Sequence, residues 1–272
     1  MIVIMGIFAS GIIMGFLQSL GKFKAIGLTD FTLKYYREVL GSKDFISSLG
    51  FSLYTALVSS LISIVLGVLL SYSIFKTKTK LGIEQVYKLP VAVPHIVSVL
   101  LMYNILSQSG IFPRILYTLG IISEQTDFPS LLYEKNGAGI ILSYMWKEIP
   151  FVAMTTYSIL NNLSYKLTEA AKNLGANDRQ VFRHILLPLI LPTIFSTFII
   201  IFAFSFGAYE VPLLLGPTSP QALPVKAFVE YSNPDLLNRP YAMVINMILT
   251  FVSLILVWLY HKSFALISKY NR

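Results

Sequence analysis

EAAKNLGANDRQVFRHILLPLILP, residues 169–192, is a charge-dotted passage in a chain that is 55% hydrophobic and only 12% charged. What surrounds it decides the fold. A mean hydropathy of +0.70 over 272 residues, with 19 Phe and 16 Tyr, is more apolar surface than one water-soluble core can enclose. The chain is therefore expected to dissolve in lipid. Six apolar runs, near 2–20, 46–75, 86–106, 139–160, 185–205 and 241–260, each reach the roughly 20 residues that cross a hydrocarbon core as a helix. None alternates apolar and polar residues as a barrel strand must. Helices satisfy their own backbone in lipid, so the expected class is an all-α membrane protein of six transmembrane helices, a single domain over 1–272.

Charge orients the bundle. Six spans place the connectors 76–88 and 162–184 and the tail 262–272 on one side, where 11 Lys and Arg face 3 acids. The connectors 21–45, 107–138 and 206–240 carry 9 of each sign on the other. Short loops rich in Lys and Arg stay inside, so the first side is expected to be cytoplasmic and the protein to be a multi-pass membrane component. Lys22 and Lys24, directly after the first span, favour the reverse orientation but are outweighed. No basic flank precedes the first span, which argues against a cleavable signal peptide.

Several chemistries are not expected. The chain has no Cys, and His95, His184 and His261 are too scattered to suggest a metal cluster, so neither a metal nor another cofactor is expected on it. GFLQSLGKF, residues 15–23, lacks P-loop spacing and has Phe23 where a hydroxyl must reach magnesium, so any ATP and Mg belong to a partner. No His pair or Ser/His set supports a membrane hydrolase, and the chain is not expected to be an enzyme.

Within the opening passage, Ser164 is a plausible N-cap, and Leu163, Leu167, Ala170, Ala171 and Leu174 gather on one helix face. Lys166, Glu169 and Lys172 lie toward the other. Gly175 suits the left-handed turn that ends a helix, and Asn177 with Gln180 has the spacing of a capping box. The expectation is helix, turn, helix at the cytoplasmic surface, too polar to enter lipid. Pro188 and Pro192 then bend or loosen the start of the fifth span.

Glu169-Ala170-Ala171, three residues, Gly175, nine residues, then Ile185, one residue, Leu187 and Pro188 reproduce the full spacing of the EAA motif. The chain thereby resembles the permease subunits of bacterial type I ABC importers. That resemblance implies a permease fold with a cytoplasmic coupling helix at 162–184, in which Glu169, Ala170, Ala171, Gly175, Ile185, Leu187 and Pro188 meet an ATPase subunit. It further implies a second permease subunit, identical or related, and an extracytoplasmic solute-binding protein. SFGAYEVPLLLG, residues 205–216, and NPDLLNRPYAM, residues 233–243, look similar to the spermidine/putrescine group, whose relatives also serve phosphonates, thiamine and ferric ion.

Four residues are candidates for the translocation path. Lys147 and Glu148 would sit inside the fourth span, where a charge costs about 2.5–3.5 kcal/mol and normally faces protein or water. Neighbours diverge by about 100° on a helix, so each needs its own partner. They suit either packing against a sister helix, with a kink at Pro150, or the path itself. Gly207, Pro212 and Gly216 are expected to break the helix, and Tyr209 and Glu210 would stand near the outer mouth, where an acid beside a ring attracts an organic cation; a solvated rim acid is the alternative. Pro90 and Pro94 are expected to loosen the cytoplasmic start of the third span. The rival to an ATP-driven permease is an ion-coupled secondary transporter, for which Lys147 and Glu148 would be the intramembrane charges.

Overall fold

The computed structural model describes residues 2–77 and 81–270. Residues 78–80 of the connector 76–88, the last two residues of the tail, Met1, and the side chains of Leu163, Ser164, Lys166 and His261 lie outside the described residues. Among the described residues twelve α-helices follow one another: α1 (Ile2–Ser19), α2 (Lys34–Gly41), α3 (Lys43–Thr77), α4 (Leu81–Ala92), α5 (His95–Leu106), α6 (Ile111–Thr118), α7 (Ala138–Asn173), α8 (Asp178–Val181), α9 (Leu187–Gly207), α10 (Glu210–Leu215), α11 (Leu223–Tyr231) and α12 (Arg239–Tyr270). A π-turn, Phe182–Leu186, joins α8 to α9 without a break. Among the described residues no strand forms, only the isolated bridge between Phe23 and Leu28.

By length and composition, Lys43–Thr77, His95–Thr118, Asp178–Gly207 and Leu236–Tyr260 are each able to cross a membrane, and Val3–Ser19 is a shorter apolar helix. At 36 residues α7 is about 54 Å long, well beyond the roughly 30 Å of a hydrocarbon core.

Three expectations need correction. The helix of the fourth span does not stop near 160, and no new helix begins at Ser164; α7 runs unbroken to Asn173. Residues 151–174 contain neither Gly nor Pro, and ending a helix there would strand carbonyls for no gain. The third span is not one helix but α4 and α5, parted at Val93 and Pro94. Pro94 lacks the N–H that Pro90 would need four residues back, and it disfavours a helical Val93. Pro212 breaks nothing, because it is the third residue of α10, in the first turn where an N–H has no helical partner.

The chain divides into two compact units. The first comprises Met1–Thr55, Ile105–Ile140 and Phe206–Ile255. Its core holds Phe45, Phe51, Phe206, Leu215, Leu223 and Ile245. Ser52 Oγ accepts the first N–H of α11 from Leu223 at 2.7 Å, and Tyr133 N donates to Leu215 O at 2.9 Å.

The second unit comprises Ala56–Asn104, Ile141–Ser205 and Leu256–Arg272. Its core joins Val68, Val152, Leu160, Val181, Leu186, Ile190 and Ile201. Here α3 presents a buried seam of small residues, Ala56, Ser60, Ser63, Gly67 and Ser71, at steps of three and four. Such residues let helix backbones come close where lipid supplies no hydrophobic drive between helices.

Candidate coupling surface and buried polar centre

The end of α7 closes as the sequence suggests. Gly175 has φ +88°, its N–H bonds Lys172 O at 2.9 Å, and Ala176 N bonds Ala171 O at 3.0 Å. This pair of bonds around a left-handed residue satisfies the last carbonyls of a helix. Asn177 then caps α8: its Oδ1 accepts from Gln180 N and its N donates to Gln180 Oε1, both at 2.9 Å. Two orphan donors are thereby paired reciprocally.

Below this turn the loop is anchored. Val181 and Leu186 are buried in the second unit's core, with Ala171, Ile185 and Leu187 packed on it, and the Tyr72 and Phe182 rings lie 4.7 Å apart. Leu187 N reaches back five residues to Phe182 O, so the loosening expected from Pro188 takes the form of a π-turn just ahead of it. Glu169, Ala170 and Pro188 are exposed.

An ionic contact absent from the sequence reading ties the loop down further. Asp178 accepts Lys76 Nζ on Oδ2 and Lys172 Nζ on Oδ1, each at 2.8 Å. Hydrogen bonds from Lys172 and then Lys76 hold its carboxyl down to about 2, and the bond to Asp178 raises the Lys76 ammonium. A depressed carboxylate contributes fully above about pH 4 and is lost as pH falls toward its folded value, so the contact is complete at physiological pH. The available signal was an acid on the first turn of a helix that follows a basic helix end.

Opposite the anchor, a ridge is left bare. Leu167 is 46% and Leu174 90% exposed, and Ala170 between them is also exposed. Positions 167, 170 and 174 follow helical steps, so the tip of α7 and the residue just after it offer an apolar edge to water.

Inside the second unit, Lys147 and Glu148 find separate partners, as their angular separation requires. Lys147 Nζ donates to Val93 O at 2.7 Å, the carbonyl at the break between α4 and α5. Glu148 is 5% exposed, accepts Ser63 Oγ of α3 on Oε2 at 2.8 Å, and accepts Ser205 Oγ of α9 on Oε1. One carboxyl group thus joins three helices. Tyr209 and Glu210 belong to the first unit: α9 ends at Gly207, Tyr209 precedes α10 with its ring 5.4 Å from Phe228, and Glu210 opens that helix.

The sequence model of the binding-protein-dependent transport system inner membrane component matches residues 59–263. The chain belongs to that family. Similarity to individual members is lower but long. A probable sulfate transport system permease protein cysT of Prototheca wickerhamii is 24% identical over 82% of this chain and 85% of its own. The spermidine/putrescine transport system permease protein PotB of Salmonella typhimurium (strain SL1344) is 26% identical over 88% and 81%. A chain from the crystal structure of a bacterial ABC transporter involved in the import of the acidic polysaccharide alginate superposes with a TM-score of 0.79 at 19% identity, covering 97% of this chain and 92% of that one. This inner membrane component therefore has the ABC importer permease fold, and the EAA-spaced residues lie where α7 ends and α9 begins.

Proposed function

We propose that this transport-system component is one of two permease subunits lining a common path, worked from the cytoplasm by ATPase subunits that grip the end of α7 and α8. ATP and Mg act on those subunits, and no chemistry occurs on this chain. All six expected spans cross the membrane within one permease domain, α4 and α5 together forming the third.

The observation that carries this reading is the bare ridge of Leu167, Ala170 and Leu174 on a capped and anchored loop. An apolar edge that the fold leaves uncovered at a polar surface suits a partner's cleft, and central apolar anchors dominate binding at such contacts. Replacing Leu174 by Glu is expected to cut retention of the ATPase subunit on the purified permease by about tenfold or more. The permease should reach the membrane normally, because the side chain is open to water. Retention equal to wild type overturns the assignment.

The solute proposed is a small organic cation of the polyamine class, handed over by an extracytoplasmic binding protein. Support comes from Glu210, which opens α10 directly after Tyr209, the ring that stacks on Phe228; an acid next to an aromatic residue suits a cation. Uptake of labelled spermidine should require ATP, fall severalfold in Glu210→Gln, and yield to excess putrescine but not to excess sulfate. Competition by sulfate alone would overturn the cationic class, and uptake driven by an ion gradient without ATP would overturn the motor.

A further inference from the structure

Motion of the coupling loop has three routes into the bundle. Two are covalent. The route into α7 passes the left-handed turn at Gly175, and the route into α9 passes the π-turn 182–186 followed by Pro188 and Pro192. Helices loosen at such features, so the second route is compliant. The third route is not covalent and leads into α3, the second span.

Besides the core that Val68 of α3 shares with Val181 and Leu186, that route has two contacts at the rim of the loop. Asp178, the first residue of α8, holds Lys76 in the last turn of α3 with one oxygen and Lys172 in the last turn of α7 with the other, both at 2.8 Å. Beside it the Tyr72 ring of α3 rests on Phe182 of the π-turn at 4.7 Å. Between these contacts lies a cavity lined by Tyr72, Phe75, Lys76, Glu169, Lys172 and Asp178, so the carboxylate spans a gap that packing does not fill. Thirteen residues further into the bundle, about 20 Å along α3, Ser63 meets Glu148.

We infer that Asp178 is a positioning residue for transport, a two-handed clamp that makes the second span move with the coupling loop when the ATPase subunits close. The inference rests on the proposed docking of those subunits. The lysines are 57% and 51% and Asp178 42% exposed, and pairs so open to water add little to stability. Removing the clamp therefore leaves the fold intact and loosens the link, which separates this role from a merely structural one.

The test uses the assembled transporter. The chain has no Cys, so Ser73→Cys on α3 and Arg179→Cys on α8, both exposed, can be spin-labelled uniquely on it, and pulsed electron resonance reads their separation. With Asp178 present, one narrow distance distribution is expected both at rest and with ATP bound. Asp178→Asn should broaden the distribution and lower labelled spermidine carried per ATP hydrolysed by about fivefold or more. Asp178→Glu, which keeps the charge, should restore both. A narrow distribution in Asp178→Asn overturns the inference, as does uptake that falls only in proportion to ATP hydrolysis. Distances measured in permease without ATPase subunits still decide whether the clamp exists. A wild-type permease that retains no ATPase subunit would sink the docking proposal alone.

Discussion

Alanine at Gly67 is expected to leave little extractable folded protein, and valine none. A Cβ at this position would lie 2.5 Å from Val152 Cβ, 2.6 Å from its Cγ1 and 2.9 Å from Ile149 O. Val152 is fully buried, and a backbone carbonyl cannot swing aside, so α3 and α7 would have to part. Overpacking of this kind costs about 1–3 kcal/mol before any other contact is lost. The same separation would pull Ser63 from Glu148, one turn away on each helix, so the alanine is placed at or above the top of that range. Gly50, also on α3, is the control: nothing lies within 4 Å of its would-be Cβ. Gly50→Ala should be neutral or slightly stabilising, by up to about 1 kcal/mol. Monodisperse recovery after detergent extraction, followed by a thermal melt, checks both. A Gly67→Ala variant that melts with the wild type would mean that the helices do not approach this closely.

The small-residue seam is legible in the sequence only once its face is considered. Ser60, Ser63, Gly67 and Ser71 stand in the sequence at helical steps inside an apolar run, which is the pattern of close helix packing in membranes. Read only as a hydrophobic stretch, the run declares its length and not its face. The turn at Gly175 and the capping box at Asn177 were legible for the opposite reason. Each is a local device whose partners lie within a few residues, so spacing alone specifies the bonds.

Where partners are distant in sequence, spacing is silent. Asp178 finds Lys76 a hundred residues upstream, and Lys147 finds a carbonyl fifty-four residues away that is free only because Pro94 parts α4 from α5. The misplaced cap at Ser164 has a related cause. A serine caps a helix only where the helix has reason to begin, and none arises inside an unbroken stretch of helix-compatible residues. Tertiary geometry, and not local preference, also decides that Leu174 points into water while Ala171, three residues earlier, packs on the core.

Glu148→Ala should separate the two roles first open to this residue. The carboxyl group accepts hydroxyls from Ser63 and Ser205 and lies almost wholly inside the protein, so removing it leaves a void and strands two buried donors. Large-to-small changes in a core cost about 2–5 kcal/mol, and a buried polar group without a partner about 1–3 more, although serines can turn back to their own helix and recover part. Glu148→Gln keeps the volume; its amide oxygen accepts one hydroxyl and its NH2 donates to the other, so only a small loss is expected. The melting order should therefore be wild type, Gln, then Ala by a wide margin. Ser63→Ala with Ser205→Ala should reproduce part of the Ala loss and add little to it when combined, because the three side chains act as one group. If Glu148→Ala instead melts with the wild type and only uptake falls, the carboxyl is not holding helices together. It then belongs to the path along which the solute moves.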